Sequence, residues 1–116
     1  MISGAHVLLY SNFPEADRAF LRDVLQFRWV DAGHGWLIFK LPPAEVAVHP
    51  ADGGELRAEL YFMCDDLAAT MKALGERNIR CSVIEQVAWG MRTTIRLPSG
   101  REIGLYQPTH PTAISL

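Results

Sequence analysis

The sequence predicts an α+β fold: two tandem βαβββ modules forming a curved mixed sheet around a concave cleft, with the helices on the outer face. Three observations carry this. The stretch Leu97–Pro108 (LPSGREIGLYQP) reads as a Pro98-Ser99-Gly100 turn feeding a strand, with Glu102, Gly104 and Tyr106 alternating against Ile103 and Leu105. Leu41–Pro50 (LPPAEVAVHP) repeats it, Leu41-Pro42 matching Leu97-Pro98 and Glu45–His49 matching Glu102–Tyr106. Each half runs strand, helix, strand, strand, strand on either side of Pro50–Arg57, a polar, glycine-rich connection too short to separate independent domains. The expectation is one domain over residues 1–116, with modules at about 4–50 and about 57–108.

In the first module, His6–Ser11 is a strand whose Val7, Leu9, Ser11 face suits a core and whose His6, Leu8, Tyr10 face suits a cleft. Asn12-Phe13-Pro14-Glu15 starts a helix over about Pro14–Leu25, with Phe20/Val24 and Leu21/Leu25 as its apolar stripe and Asp17, Arg18 and Arg22 flanking it. Gln26 stands where a terminating glycine would be comfortable. Short strands follow at Arg28–Asp31, Trp36–Lys40 and Ala44–His49, with Gly33-His34-Gly35 as the hairpin turn.

The second module restarts with a strand at Ala58–Cys64, Glu59, Tyr61 and Met63 sharing one face. Asp65-Asp66 cap a helix to about Arg77 with Leu67, Met71 and Leu74 as its stripe. Gly75 weakens that helix, and Asn78 can adopt the left-handed conformation that ends it. Strands at Cys81–Glu85, Trp89–Leu97 and the closing stretch complete the module, leaving Thr109–Leu116 as a surface tail.

Composition bounds the function. At 49% hydrophobic, 21% charged and net charge −2, the chain is globular, with no electrostatic reason to bind nucleic acid or an anionic membrane. Charged residues interrupt every apolar run, and the N-terminal residues lack a basic flank and an apolar signal core, so a cytoplasmic protein is expected. Cys64 and Cys81 are too few for a disulfide framework, lack metal-type spacing and are expected as buried, reduced thiols.

If both helices cover the same kind of face, the opposite faces of four strands converge: His6, Leu8, Tyr10; Glu45, Ala47, His49; Glu59, Tyr61, Met63; and Glu102, Gly104, Tyr106. A concave, partly aromatic surface holding His and Glu is the makeup of a small-molecule site. The competing reading is an antiparallel sheet with one solvated, polar face.

The element order, His6-Val7-Leu8-Leu9 followed by Phe20-Leu21-Arg22-Asp23-Val24-Leu25-Gln26-Phe27, and the closing PSGREIGLYQP together resemble the vicinal oxygen chelate superfamily, which is the glyoxalase/bleomycin-resistance/extradiol-dioxygenase group. The resemblance covers nearly the whole chain. Leu21 replaces that family's aromatic, and Gln26 its glycine. Its metal-dependent members carry His or Glu in the first, fourth, fifth and eighth strands. The resemblance therefore implies His6 and Glu59 as ligands, but Ala47 and Gly104 stand at the other two positions and offer none. Glu102 and Glu45 lie two residues earlier on the same faces, about 6.5 Å away along a strand. A two-residue slip of alignment would preserve facing, so His6, Glu59 and Glu102 form one candidate metal set. The alternatives are His6 as a pocket-lining histidine, or His6 as a metal-free general base paired with Glu59.

The candidate ligand-binding residues are Tyr10, Tyr61, Tyr106, His49 and Met63. Arg92 and Arg96 share a strand face and could clamp a carboxylate, or be solvated. His34 in its turn and His110 in the tail read as solvated, and Trp29, Trp36 and Trp89 read as packing or as stacking surfaces. Three functions are expected in turn. The first is a small-molecule-binding protein with a degraded metal site and no cofactor. The second is a lyase, isomerase or dioxygenase using a divalent metal ion on a small oxygenated substrate. The third is a non-catalytic domain. A homodimer is expected under all three.

Overall fold

The computed structural model describes residues 6–9, 11–45, 47–49, 53–55 and 57–116. Its elements in chain order are α1 (Pro14–Ala19), continued by a π-helical turn at Phe20–Val24; β1 (Trp29–Asp31); β2 (Leu37–Phe39); β3 (Tyr61–Met63); α2 (Leu67–Glu76); β4 (Glu85–Val87); β5 (Gly90–Arg96); β6 (Glu102–Pro108); and a 3-10 turn at Ala113–Ser115. The result is a mixed α+β structure with two sheets. β1 and β2 form an antiparallel pair, and the second sheet runs β3-β6-β5-β4. In it β3 is parallel to β6, while β5 is antiparallel to both β6 and β4.

The second half follows the period-2 and period-3.6 patterns closely. Ile95, Leu97, Ile103 and Leu105 alternate onto one sheet face and join Leu67 and Leu74 of α2 and Phe20 of the first helix in a single core. Leu60, Phe62, Cys64 and Met71 border it. Asp66 accepts the Ala69 N–H at 3.0 Å, and Gln107 on β6 accepts the Leu67 N–H at 2.9 Å. Two of the four donors that a helix start leaves unpaired are thereby satisfied, one of them by the sheet. Asn78 closes the helix at φ 61° as expected. The strand expected at Cys81–Glu85 is regular only from Glu85, although Ser82 already donates its N–H to the Thr94 carbonyl at 3.0 Å and so runs beside β5.

The first half departs from expectation. Among the described residues, His6–Leu9 and the stretch around Glu45 carry no strand, and Tyr10, Val46 and much of the Pro50–Arg57 connection lie outside the description. The Gly33-His34-Gly35 turn is present, with Asp31 accepting the Gly33 N–H at 2.8 Å and a Gly35 N–H at 3.2 Å. Gln26 takes φ 60°, so the first helix ends in the left-handed manner at a residue with a Cβ. The helix cap is Phe13 without a side-chain bond, not Asn12. Asp17, expected to flank the apolar stripe, is instead buried at 7% exposure. It accepts the Ser99 N–H at 3.0 Å and the Ser99 hydroxyl at 2.7 Å, tying α1 to the turn that feeds β6.

Candidate functional site

The sheet has a second face, opposite the core. Register places Met63, Tyr106, Arg92 and Glu85 in one row across all four strands. The adjacent row is Tyr61, Gly104 and Thr94. Gly104 is the gap that organises this face. A Cβ built on it would collide with the Tyr61 ring. Tyr61 thus leans across β6 over the glycine and reaches the next row, where its hydroxyl accepts from Arg92 Nη1 at 3.2 Å.

Three rings meet here. Tyr61 and Trp89 have centroids 5.4 Å apart, Tyr61 and Tyr106 5.8 Å, and Trp89 and Tyr106 5.0 Å, all close to perpendicular. This is the edge-to-face arrangement that the ring quadrupole favours. The Arg92 guanidinium lies 5.8 Å from the Trp89 centroid, within cation–π reach, and donates to Glu85 at 3.0 Å. His110, expected in a solvated tail, stacks on Tyr106 at 5.9 Å, and its Nε2 lies 3.2 Å from the Tyr106 hydroxyl. His110 Nδ1 is 2.7 Å from the Pro111 carbonyl, so in the neutral ring that nitrogen holds the proton and Nε2 accepts. Glu45 accepts the Ala113 N–H at 2.7 Å and lies 3.9 Å from His110 Nε2, fastening the tail beside the rings.

Burial raises the Tyr106 phenol above its ordinary value of 10.0, and the Glu45 carboxylate adds to the shift by its charge and by hydrogen bonding. A raised value means that the folded state favours the neutral phenol. That contribution to stability is complete below the ordinary value and is lost as pH rises through the folded-state value. Tyr106→Phe is expected to remove a phase lying above the ordinary phenol range from an ultraviolet tyrosine titration; an unchanged titration would contradict this environment.

Of the residues singled out from sequence, Tyr61, Tyr106 and Met63 come together on this face. His6 and His49 are exposed, and Tyr10 is outside the described residues. Glu59 is held by Arg57 at 2.9 Å, and Glu102 by Arg96 at 3.1 Å. Among the described residues, no three His, Cys, Asp or Glu side chains gather as a metal would require. Arg92 and Arg96 share a face but have separate acid partners. Trp89, read from sequence as packing or stacking, and Glu45, placed on the converging face, join Tyr61 and Tyr106, and His110 is the addition. Nothing local in the sequence marks His110. Two open hollows lie away from the rings: one of about 370 Å³ bordered by Ser11, Asn12, Ser99, Arg101 and Glu102, the other of about 230 Å³ between Phe27 and Leu41.

No protein-family model and no curated protein matches this chain in sequence. Solved structures match it in shape. TnmS3, an antibiotic binding protein from Streptomyces sp. CB03234, is 24% identical with a TM-score of 0.63, over 94% of this chain and 100% of that one. A lactoylglutathione lyase from Agrobacterium tumefaciens is 18% identical with a TM-score of 0.64, over 90% and 92%. A member of the glyoxalase/bleomycin resistance protein/dioxygenase superfamily from Sphaerobacter thermophilus is 20% identical with a TM-score of 0.60, over 91% and 98%. The chain has the fold of the glyoxalase/bleomycin-resistance superfamily. This is the vicinal oxygen chelate group that the sequence resembles. Within a glyoxalase/bleomycin-resistance fold, the Tyr61–Gly104 contact is informative: the resemblance implies a metal-binding glutamate at position 104, and a tyrosine ring lies in the space its side chain would need. The fold alone leaves the chemistry open, because one scaffold hosts many functions.

Proposed function

We propose that this protein binds a small molecule without a metal ion, on the face formed by Tyr61, Trp89, Arg92 and Tyr106. The observation that carries the reading is the Tyr61 ring over Gly104. It replaces a potential ligand position with aromatic surface, while Glu59 and Glu102 are each neutralised by an arginine. These residues do not supply the three or more protein ligands that a zinc-type site takes. The rings supply the apolar lining, and Arg92 the oriented polar group, that small-molecule sites combine. The likeness to an antibiotic binding protein points the same way.

In this proposal the chain is one domain of two βαβββ modules, about residues 4–50 and 57–108, acting as a homodimer in the cytoplasm. The free thiols of Cys64 and Cys81, whose pKa values burial raises, suit a reducing compartment. The dimer is supported by the β1–β2 hairpin, which displays Trp29 and Val30 on β1 and Trp36 at the end of its turn at 46–65% exposure. A lone two-stranded pair is marginal in water and needs a covering partner.

One preparation tests the proposal. Protein purified without chelator should contain no stoichiometric Ni, Zn, Mn or Fe, and should sediment at twice the 13.0 kDa chain mass. Stoichiometric metal that disappears in His6→Ala would overturn the metal-free reading. Sedimentation as a monomer would overturn the dimer.

A further inference from the structure

We propose that the ligand is a flat aromatic molecule bearing an anionic group, with Tyr61 and Trp89 taking its plane and Arg92 taking its charge. The inference rests on the small-molecule-binding reading and adds the chemical class. Of the three rings, Tyr106 is the most enclosed, at 8% exposure, and is stacked by His110. Tyr61 and Trp89 are only half-buried. They stand 82° apart, so neither ring is stacked on the other, and a flat ligand can stack on one while meeting the edge of the other.

Arg92 is oriented for an anion before one arrives. Tyr61 accepts from Nη1 and Glu85 from Nη2, which leaves most of the five guanidinium N–H donors available. The two partners are unequal. Tyr61 is fixed among the rings, whereas the Glu85 side chain is 63% exposed. Exposed ion pairs hold weakly, so a ligand carboxylate or similar anion can displace Glu85 and pair with the planar guanidinium through two parallel bonds. The other charges on this face are Glu45, held by the tail beside Tyr106, and the exposed pairs Arg96–Glu102 and Arg57–Glu59; among the described residues Arg92 is the cation that lies against one of the three rings. Arg92 is therefore where a ligand anion meets both a cation and an aromatic surface.

The test uses 2-naphthoate and its neutral counterpart 2-naphthamide as probes, followed by tryptophan fluorescence and calorimetry on the whole protein. Naphthoate should bind about tenfold more tightly than naphthamide, and Arg92→Gln should erase that preference by weakening naphthoate far more than naphthamide. Glu85→Gln, on an exposed side chain, should strengthen naphthoate binding several-fold by removing the competing carboxylate. Trp89→Leu should weaken both probes. Equal affinity for the two probes, or no gain in Glu85→Gln, overturns the anion assignment while leaving an aromatic-binding face standing. Failure of both probes to bind overturns the aromatic ligand class, whereas the metal-free reading is decided separately by the metal content of the protein and its His6→Ala variant.

Discussion

Gly104→Glu, which restores the acidic residue that the family resemblance implies at this position, is expected to lower the melting temperature by about 10 °C and to bring in no metal. The reason is steric. Any Cβ at 104 meets the Tyr61 ring, and the ring cannot retreat without giving up its edge-to-face contacts with Trp89 and Tyr106 and its hydrogen bond from Arg92. Overpacking of this kind costs about 1–3 kcal/mol, and a chain of this size loses roughly 4 °C for each kcal/mol. The smaller Gly104→Ala should cost nearly as much, because the first added carbon already collides. Tyr61→Ala combined with Gly104→Ala should be less destabilising than the sum of the two single changes, since the clash exists only when both side chains are present. Thermal melts of the four proteins check this. Additivity would mean that the ring and the glycine are not coupled, and metal uptake by Gly104→Glu would mean that a metal site survives beneath.

Asp17→Ala is expected to cost roughly 2–3 kcal/mol, the range for hydrogen bonds to a charged group when one partner is removed and the other left unsatisfied. Asp17 holds both the backbone N–H and the hydroxyl of Ser99, linking positions 82 residues apart. The turn it grips leads directly into β6, the strand that carries both Gly104 and Tyr106. The loss should therefore reach the aromatic face as well as the melt. Asp17→Asn, which keeps one acceptor, should cost about half as much. Urea denaturation gives the magnitude, and equal costs for the Ala and Asn variants would show that burial at this site matters more than the bonds to Ser99.

Asp17 also marks a boundary of what was legible in advance. From sequence it belongs to the polar flank of an amphipathic helix, because helical periodicity assigns a face but not a partner. Its partner lies far along the chain, and such a pairing leaves no periodic trace. Tyr61 is a similar case. Alternation places it on the cleft face beside Glu59 and Met63, but only the parallel register of β3 on β6 sets it opposite Gly104. Register between strands distant in sequence follows from packing, and local pattern does not encode it. His110 is the third case: in a tail flanked by prolines it looks solvated, and it becomes part of the site because the tail returns to Glu45.

By itself the sequence determined the α+β class, the second-half order of strand, helix and three strands, the Leu67 and Leu74 stripe of its helix, the alternation of Ile103 and Leu105 away from the cleft face, and the helix ends at Gln26 and Asn78. These follow from side-chain periodicity and from local backbone chemistry, which act over a few residues at a time. Only the tertiary structure decided which groups share a surface. Glu59 and Glu102 went to arginines, and Gly104 became the seat of the Tyr61 ring. The physical reason is that a missing side chain is a statement about space, and what fills that space depends on which strand is laid beside it.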